Sequence, residues 1–207
     1  MDYLEALKKR YSVKKFDPAK KVSPEILQRI LEAGKLSASS MGLQPYTILV
    51  VESREMLQNL IPAFYNPSQI ASCSHLIVIV SKKNIEGSYV DGYFRHISEV
   101  REIPVENLGS FRKNIESYTD SNADVQIWAE KQSYIVLGNL MFAAALEHVD
   151  SCPMEGFRKE IIEQILAINT QKESIAVTLA IGYRSEDDEF QKMKKVRKPD
   201  EKLFKFI

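Results

Sequence analysis

The stretch Leu36-Ser37-Ala38-Ser39-Ser40-Met41-Gly42-Leu43-Gln44-Pro45-Tyr46 lies between an amphipathic pattern over Ser23 to Lys35 and an apolar, β-branched run from Thr47 to Val51. It therefore reads as a crossing from a helix into a strand. Ser39 and Ser40 supply hydrogen-bond donors, Gly42 lacks the Cβ that would block close approach, and Pro45 fixes the entry into the strand. Such chemistry suits an anion or a planar heterocycle at the end of a helix, although a turn of this composition also serves simply to turn.

Upstream, Ser23-Pro24-Glu25 is a helix start: Ser23 caps, Pro24 takes the first position and Glu25 faces the positive end of the helix dipole. Ile26, Leu27, Ile30, Leu31 and Ala33 form its apolar stripe. A shorter amphipathic helix is predicted over Asp2 to Arg10. The segment after it, Tyr11 to Phe16, is predicted extended, with Ser12, Lys14 and Phe16 on one face and Val13 and Lys15 on the other. Downstream, Arg54 to Leu60 reads as a helix, and Asn66 starts another that runs into Ser74 and His75. Leu76 to Val80 is apolar on both faces and belongs inside a covered sheet.

From Asn84 to Asp120 the pattern loosens, with Gly87, Gly92, Pro104 and Gly109 separating short aromatic pieces, so this region is a candidate lid. Asn122 to His148 is the longest helical pattern. Its half from Tyr134 to Leu146 is apolar nearly all round, which calls for cover on every side and points to a subunit interface. Val149 to Cys152 is β-like, Phe157 to Ala167 helical, and Ser174 to Gly182 a strand. A basic tail from Lys192 to Pro199 ends in a weak terminal strand over Leu203 to Ile207.

The chain has 207 residues, enough for one substantial core, and a single domain over 1–207 is expected. Its 28 Lys and Arg offset 28 Asp and Glu, so no global field favours nucleic acid or an anionic membrane. Any anion must be held locally. Two cysteines, Cys73 and Cys152, without a CxxC pair, suit a reducing cytoplasm and small core roles. Met1 to Lys9 lacks the apolar centre of an export signal, and the charge-free run Gln132 to Leu146 falls short of the ~20 residues of a membrane helix. No membrane association is expected.

There is no GxGxxG after a strand, no GxxxxGK[ST] and no GxSxG. His75, His96 and His148 are scattered, so no metal site is expected. Asp187-Asp188-Glu189 reads as solvated charge.

What remains is a set of separated pieces: Arg10-Tyr11-Ser12-x-Lys14-x-Phe16; Ser39-Ser40-x-Gly42-Leu-Gln-Pro-Tyr46; Asn66, nine residues before His75; Pro153-Met154-Glu155-Gly156; and Lys195-x-Arg197-x-Pro199. In this order and spacing they resemble the FMN-binding pattern of the nitroreductase family. The resemblance implies an α+β fold, a central mixed or antiparallel sheet flanked by helices, in an intertwined homodimer that dimerises through Gln132 to Leu146 and an exchanged tail. It also implies a role for each piece. Arg10, Tyr11, Ser12, Lys195 and Arg197 would hold the FMN phosphate end. Ser39, Ser40 and Gly42 would reach the partner's flavin. Lys14, Asn66 and Gln69 would lie near the flavin's pyrimidine edge and Gln132 near its ribityl chain. Pro153, Met154, Glu155 and Gly156 would contact the ring, with backbone N–H offered around Glu155 and Gly156.

Family members carry Lys where Gln69 stands, so one positive charge is missing here; Asn is frequent where Gly42 stands. Tyr65, Phe111 and Tyr118 would line the substrate pocket. The implied activity is two-electron, ping-pong reduction of a nitroaromatic or quinone, a small-molecule acceptor, with NAD(P)H as co-substrate. No obligate acid or base side chain is assigned, because the chemistry resides on the cofactor. Alternatives are another reaction on the same fold (dehalogenation, flavin fragmentation, enone reduction) or a non-catalytic flavin binder. The basic run Lys192 to Lys198 leaves a nucleic-acid role as the least favoured reading.

Overall fold

A computed structural model describes residues 2–207. At its centre is a sheet of four strands, β1 (Tyr46–Val51), β2 (His75–Lys82), β3 (Asp150–Met154) and β4 (Glu173–Gly182), in the order β1-β2-β4-β3. All three ladders are antiparallel. The mixed character left open by the sequence is confined to one isolated parallel bridge, Ser12 with Ser151.

The two inner strands explain the layers. Along β2, Leu76, Val78 and Val80 point into one core with Val13, Phe16, Leu60, Ile70 and Ile162. Ile77 and Ile79 point into the opposite core with Ile30, Val136, Leu140 and Leu179. This is the period of a strand buried on both faces, each such side chain contributing about 1.5–3 kcal/mol. The first face is covered by α3 (Arg54–Leu60), α4 (Ser68–Ser72) and α8 (Lys159–Ile165), the second by α2 (Pro24–Lys35) and α7 (Val125–Leu146). Ser23 caps α2 as expected, its side chain accepting from Ile26 N. α1 (Tyr3–Lys9) leans on α7, with the Tyr3 and Phe142 rings in edge contact at 6.3 Å.

Several expectations are corrected. The region 84–120 is not loose: α5 (Gly87–Arg101) and α6 (Gly109–Ser121) are regular helices sharing a core of Val90, Phe94, Leu108, Ile115 and Trp128. Gly87 and Gly109 stand at helix starts, so they delimit the helices, and only Gly92 is interior. Residues 11–16 do not form an alternating strand, because Val13 and Phe16, three apart, are both fully buried. The tail forms α9 (Asp200–Leu203), and among the described residues no strand follows it. α4 ends at Ser72, and His75 already belongs to β2.

α7 leaves Ile127, Tyr134, Ile135 and Phe142 exposed, although it packs on the sheet along its other side. Among the described residues no helix is long and apolar enough to cross a membrane.

Candidate active site

A cavity of about 720 Å³ opens where the two ends of the chain meet, walled by Arg10, Ser12, Lys14, Arg184, Lys195 and Arg197. α1 is capped at its C-terminus by Arg10, and the Lys195 ammonium donates to the carbonyls of Leu7 and Arg10 there. A cation at the negative end of a helix dipole is favourably placed. This clasp holds the basic tail beside α1.

Arg10 is half-buried, and its Nη1 has no hydrogen-bond partner among the described residues. Burial, and after it the charge of Arg197, lower its pKa. Lys195 is lowered by burial and then by Arg10 and Arg197. Each cation is thus made less comfortable by its neighbours, in a place where a guanidinium N–H goes unused. A buried donor without a partner costs about 1–3 kcal/mol, more when charged. The arrangement is one that an anion would relieve.

Asp188 is not the solvated charge that its place in Asp187-Asp188-Glu189 suggests. It is 2% exposed. Its Oδ2 accepts from Lys14 N at 2.8 Å, Lys15 N at 3.3 Å and the Tyr11 hydroxyl at 3.1 Å, and its Oδ1 accepts from Phe190 N at 3.0 Å. Burial pushes its pKa up, but the N–H groups of Lys14, Phe190 and Lys15 and the Tyr11 hydroxyl together hold it below the usual value. Its neighbour Asp187 is exposed, as the sequence suggested, and pairs with Lys15 at 2.9 Å. Arg184, also missed, pairs with Asp150 and lies 4.6 Å over the Tyr11 ring. An Asp accepting from the N–H two residues on was a local signal that could have been noticed at Asp188. The bonds to residues 11–15 were not legible from local pattern.

The remaining predicted residues fall into separate groups. Gln69, 3% exposed, points Nε2 at Cys152 Sγ at 3.9 Å, and its Oε1 is buried with no partner among the described residues. Gln132 is committed at both ends: Oε1 accepts from Ser40 N at 2.8 Å and Nε2 donates to the Trp128 carbonyl at 3.0 Å. It fixes the Ser40 turn. Ser39 Oγ accepts from Gln44 N at 2.9 Å. Gly42 has φ +70°, and a Cβ on it would lie 2.6 Å from the Tyr93 hydroxyl, which donates to the Met41 carbonyl at 2.8 Å. The residues Ser39, Ser40 and Gly42 do not line the cationic cavity of their own chain.

Pro153 and Met154 lie in β3 opposite Leu179 and Thr178. The Glu155 carboxylate accepts from the Tyr134 hydroxyl at 2.6 Å, and burial and this bond raise the Tyr134 pKa to about 12. Gly156 O accepts from Tyr65 N at 3.0 Å, so exposed Tyr65 and neighbouring Asn66 stand beside the 153–156 segment. Phe111 meets Phe94 at 5.5 Å within the α5–α6 packing, and Tyr118 of α6 meets Trp128 of α7 at 5.7 Å. Among the described residues no group of three or more His, Cys, Asp or Glu could hold a metal ion.

Comparison with known proteins agrees with this architecture. The sequence model of the Nitroreductase family matches residues 7–183. A Staphylococcus haemolyticus protein provisionally named an NAD(P)H nitroreductase is 36% identical, over 96% of this chain and 94% of its own. Among solved structures, a provisionally named NAD(P)H:FMN oxidoreductase from Staphylococcus epidermidis superposes with a TM-score of 0.88 at 24% identity, covering 100% of this chain and 96% of the other. A provisionally named nitroreductase from Exiguobacterium sibiricum, solved in complex with FMN, gives 0.86 at 22% identity, covering 100% and 98%. At such identities the structural matches establish the fold.

Proposed function

The chain belongs to the nitroreductase family, and from this premise we propose that it is an FMN-dependent oxidoreductase that oxidises NAD(P)H and reduces a nitroaromatic or quinone. The observation that carries the reading is the unpartnered, half-buried Arg10 guanidinium facing a cavity shared with Lys195 and Arg197. A phosphate monoester, with nearly two negative charges, fits this donor set, and guanidinium forks suit it.

In this reading FMN, when bound, accepts hydride from NAD(P)H and passes two electrons to the acceptor. The chain's residues bind and orient it. Arg10, Ser12, Lys195 and Arg197 hold the phosphate, and Tyr11 braces that end by stacking under Arg184. Lys14 would bring positive charge towards the ring and Asn66 would bond the same edge, while Gln69, buried against Cys152, adds no further cation there. The 153–156 segment supplies backbone N–H, and the Tyr134 bond to Glu155 keeps it in place.

A single domain over 1–207 would pair with a second copy. The exposed apolar residues of α7 and the exposed tail residues Val196, Phe204, Phe206 and Ile207 give that copy something to cover. The turn at Ser39, Ser40 and Gly42, idle in its own chain, would then complete the partner's site. We infer a cytoplasmic protein with no nucleic-acid or membrane partner.

The test is direct. Purified protein should be yellow, release FMN on denaturation and bleach on addition of NAD(P)H. A colourless dimer that ignores added FMN would reject the proposal.

A further inference from the structure

The backbone from Tyr11 to Lys15 carries Ser12 and Lys14 into the cavity, yet it belongs to no strand. Its ties to the sheet are single bridges at either end, Ser12 with Ser151 and Phe16 with Arg184. Between them, the N–H groups of Lys14 and Lys15 have no backbone acceptor among the described residues. The Asp188 carboxylate takes both, together with the Tyr11 hydroxyl. Its other oxygen takes Phe190 N, which opens the 3-10 turn Glu189–Lys192 that leads into Lys195 and Arg197. One buried anion thus ties the two walls of the cavity together, alongside the Lys195 clasp and the bonds of Ser68 Oγ and Ser185 N to the Lys14 and Lys15 carbonyls, joining residues that stand 174 apart in sequence.

We propose that Asp188 is the positioning residue of the phosphate end of this site: it sets the spacing between the Arg10–Lys14 wall and the Lys195–Arg197 wall before any ligand arrives. The inference rests on the FMN reading above and goes beyond it, since Asp188 repels the phosphate it serves and acts only through other residues. Two physical effects combine. Bonds from N–H and O–H groups to a carboxylate are stronger than those to a neutral acceptor, so the loop between the two bridges is held in one conformation. The negative charge also lies near the Arg184 guanidinium on the cavity wall and favours its charged form while the cavity is empty. Preorganised cations lose less freedom when the anion binds.

The test compares FMN with riboflavin, which lacks the phosphate, in fluorescence titrations of the full-length protein. Asp188→Asn should weaken FMN about tenfold or more and leave riboflavin within about twofold, on the scale of hydrogen bonds to a charged group. Asp187→Asn should change neither ratio. If Asp188→Asn does not fold, Asp188→Glu keeps the charge but moves it, and should still lose preference for FMN. If neither variant folds, or if both flavins weaken in parallel, Asp188 supports the fold and not the site, and the proposal falls.

A second readout separates this inference from the FMN reading. Inorganic phosphate should raise the melting temperature of flavin-free wild type and have much less effect on Asp188→Asn. Wild type that responds to phosphate but not to FMN would sink the FMN reading alone. An unchanged FMN-to-riboflavin ratio in Asp188→Asn would sink the positioning role alone.

Discussion

Replacing Arg10 by Met should make the flavin-free protein more stable while making it a poorer flavin binder. The guanidinium is half-buried, its Nη1 is unpartnered among the described residues, and it sits near Lys195 and Arg197. Met keeps the length of the aliphatic stem and its packing but removes the charge. Relief of an unsatisfied buried donor is worth about 1–3 kcal/mol. For a chain of this size each kcal/mol moves the melting temperature by about 2–4 °C, so a rise of roughly 2–12 °C is expected. Differential scanning calorimetry on flavin-stripped wild type and Arg10→Met measures this, and titration with FMN should show the opposite ranking. A stabilised scaffold with a weakened site is the usual signature of a group kept for function. If flavin-free Arg10→Met melts below wild type, or binds FMN equally well, Arg10 is a structural residue and the account of the cavity is wrong.

Gly182→Ala should be destabilising, because its Cβ would lie 2.9 Å from Phe16 Cδ1 and 3.1 Å from Ser74 N; overpacking of this kind costs about 1–3 kcal/mol, readable as a lower urea midpoint. Acid should unfold the protein partly through Asp188. Its folded pKa lies below the ordinary 3.8, so its stabilisation is complete above the unfolded value and is lost as pH falls through the folded one. Urea midpoints taken downwards from neutral pH should therefore fall more steeply for wild type than for Asp188→Asn. Tyr93→Phe removes the hydroxyl that holds the Met41 carbonyl, at a cost of about 0.5–1.5 kcal/mol, and should increase hydrogen exchange at residues 40–44; unchanged exchange would mean the turn holds itself.

Where local chemistry decides, the sequence was readable. Ser23-Pro24 announced α2, and the unbroken apolar run 76–80 announced an inner strand. The meeting of Arg10 with Lys195 and Arg197 follows from a resemblance of motif order and spacing, not from local chemistry, because the two ends approach only once the sheet is built. Asp188 escaped for the same reason: beside Asp187 and Glu189 it looks like one of three equivalent charges, and only distant N–H groups distinguish it. The aromatic residues of 84–120 show what helical spacing alone settles: Phe111 meets Phe94 and Tyr118 meets Trp128 within the chain. Gln132 shows a subtler limit, since an amide in the expected place can already be spent on a neighbouring turn.

The grip of Lys195 on the carbonyl end of α1 makes the last segment of the chain a working part without making it part of the sheet. A protease that clipped the polypeptide just after Met193 would strip Lys195 and Arg197 from the cavity in one cut, yet leave every strand and both central cores intact. Such a remnant would pass by circular dichroism for the whole protein.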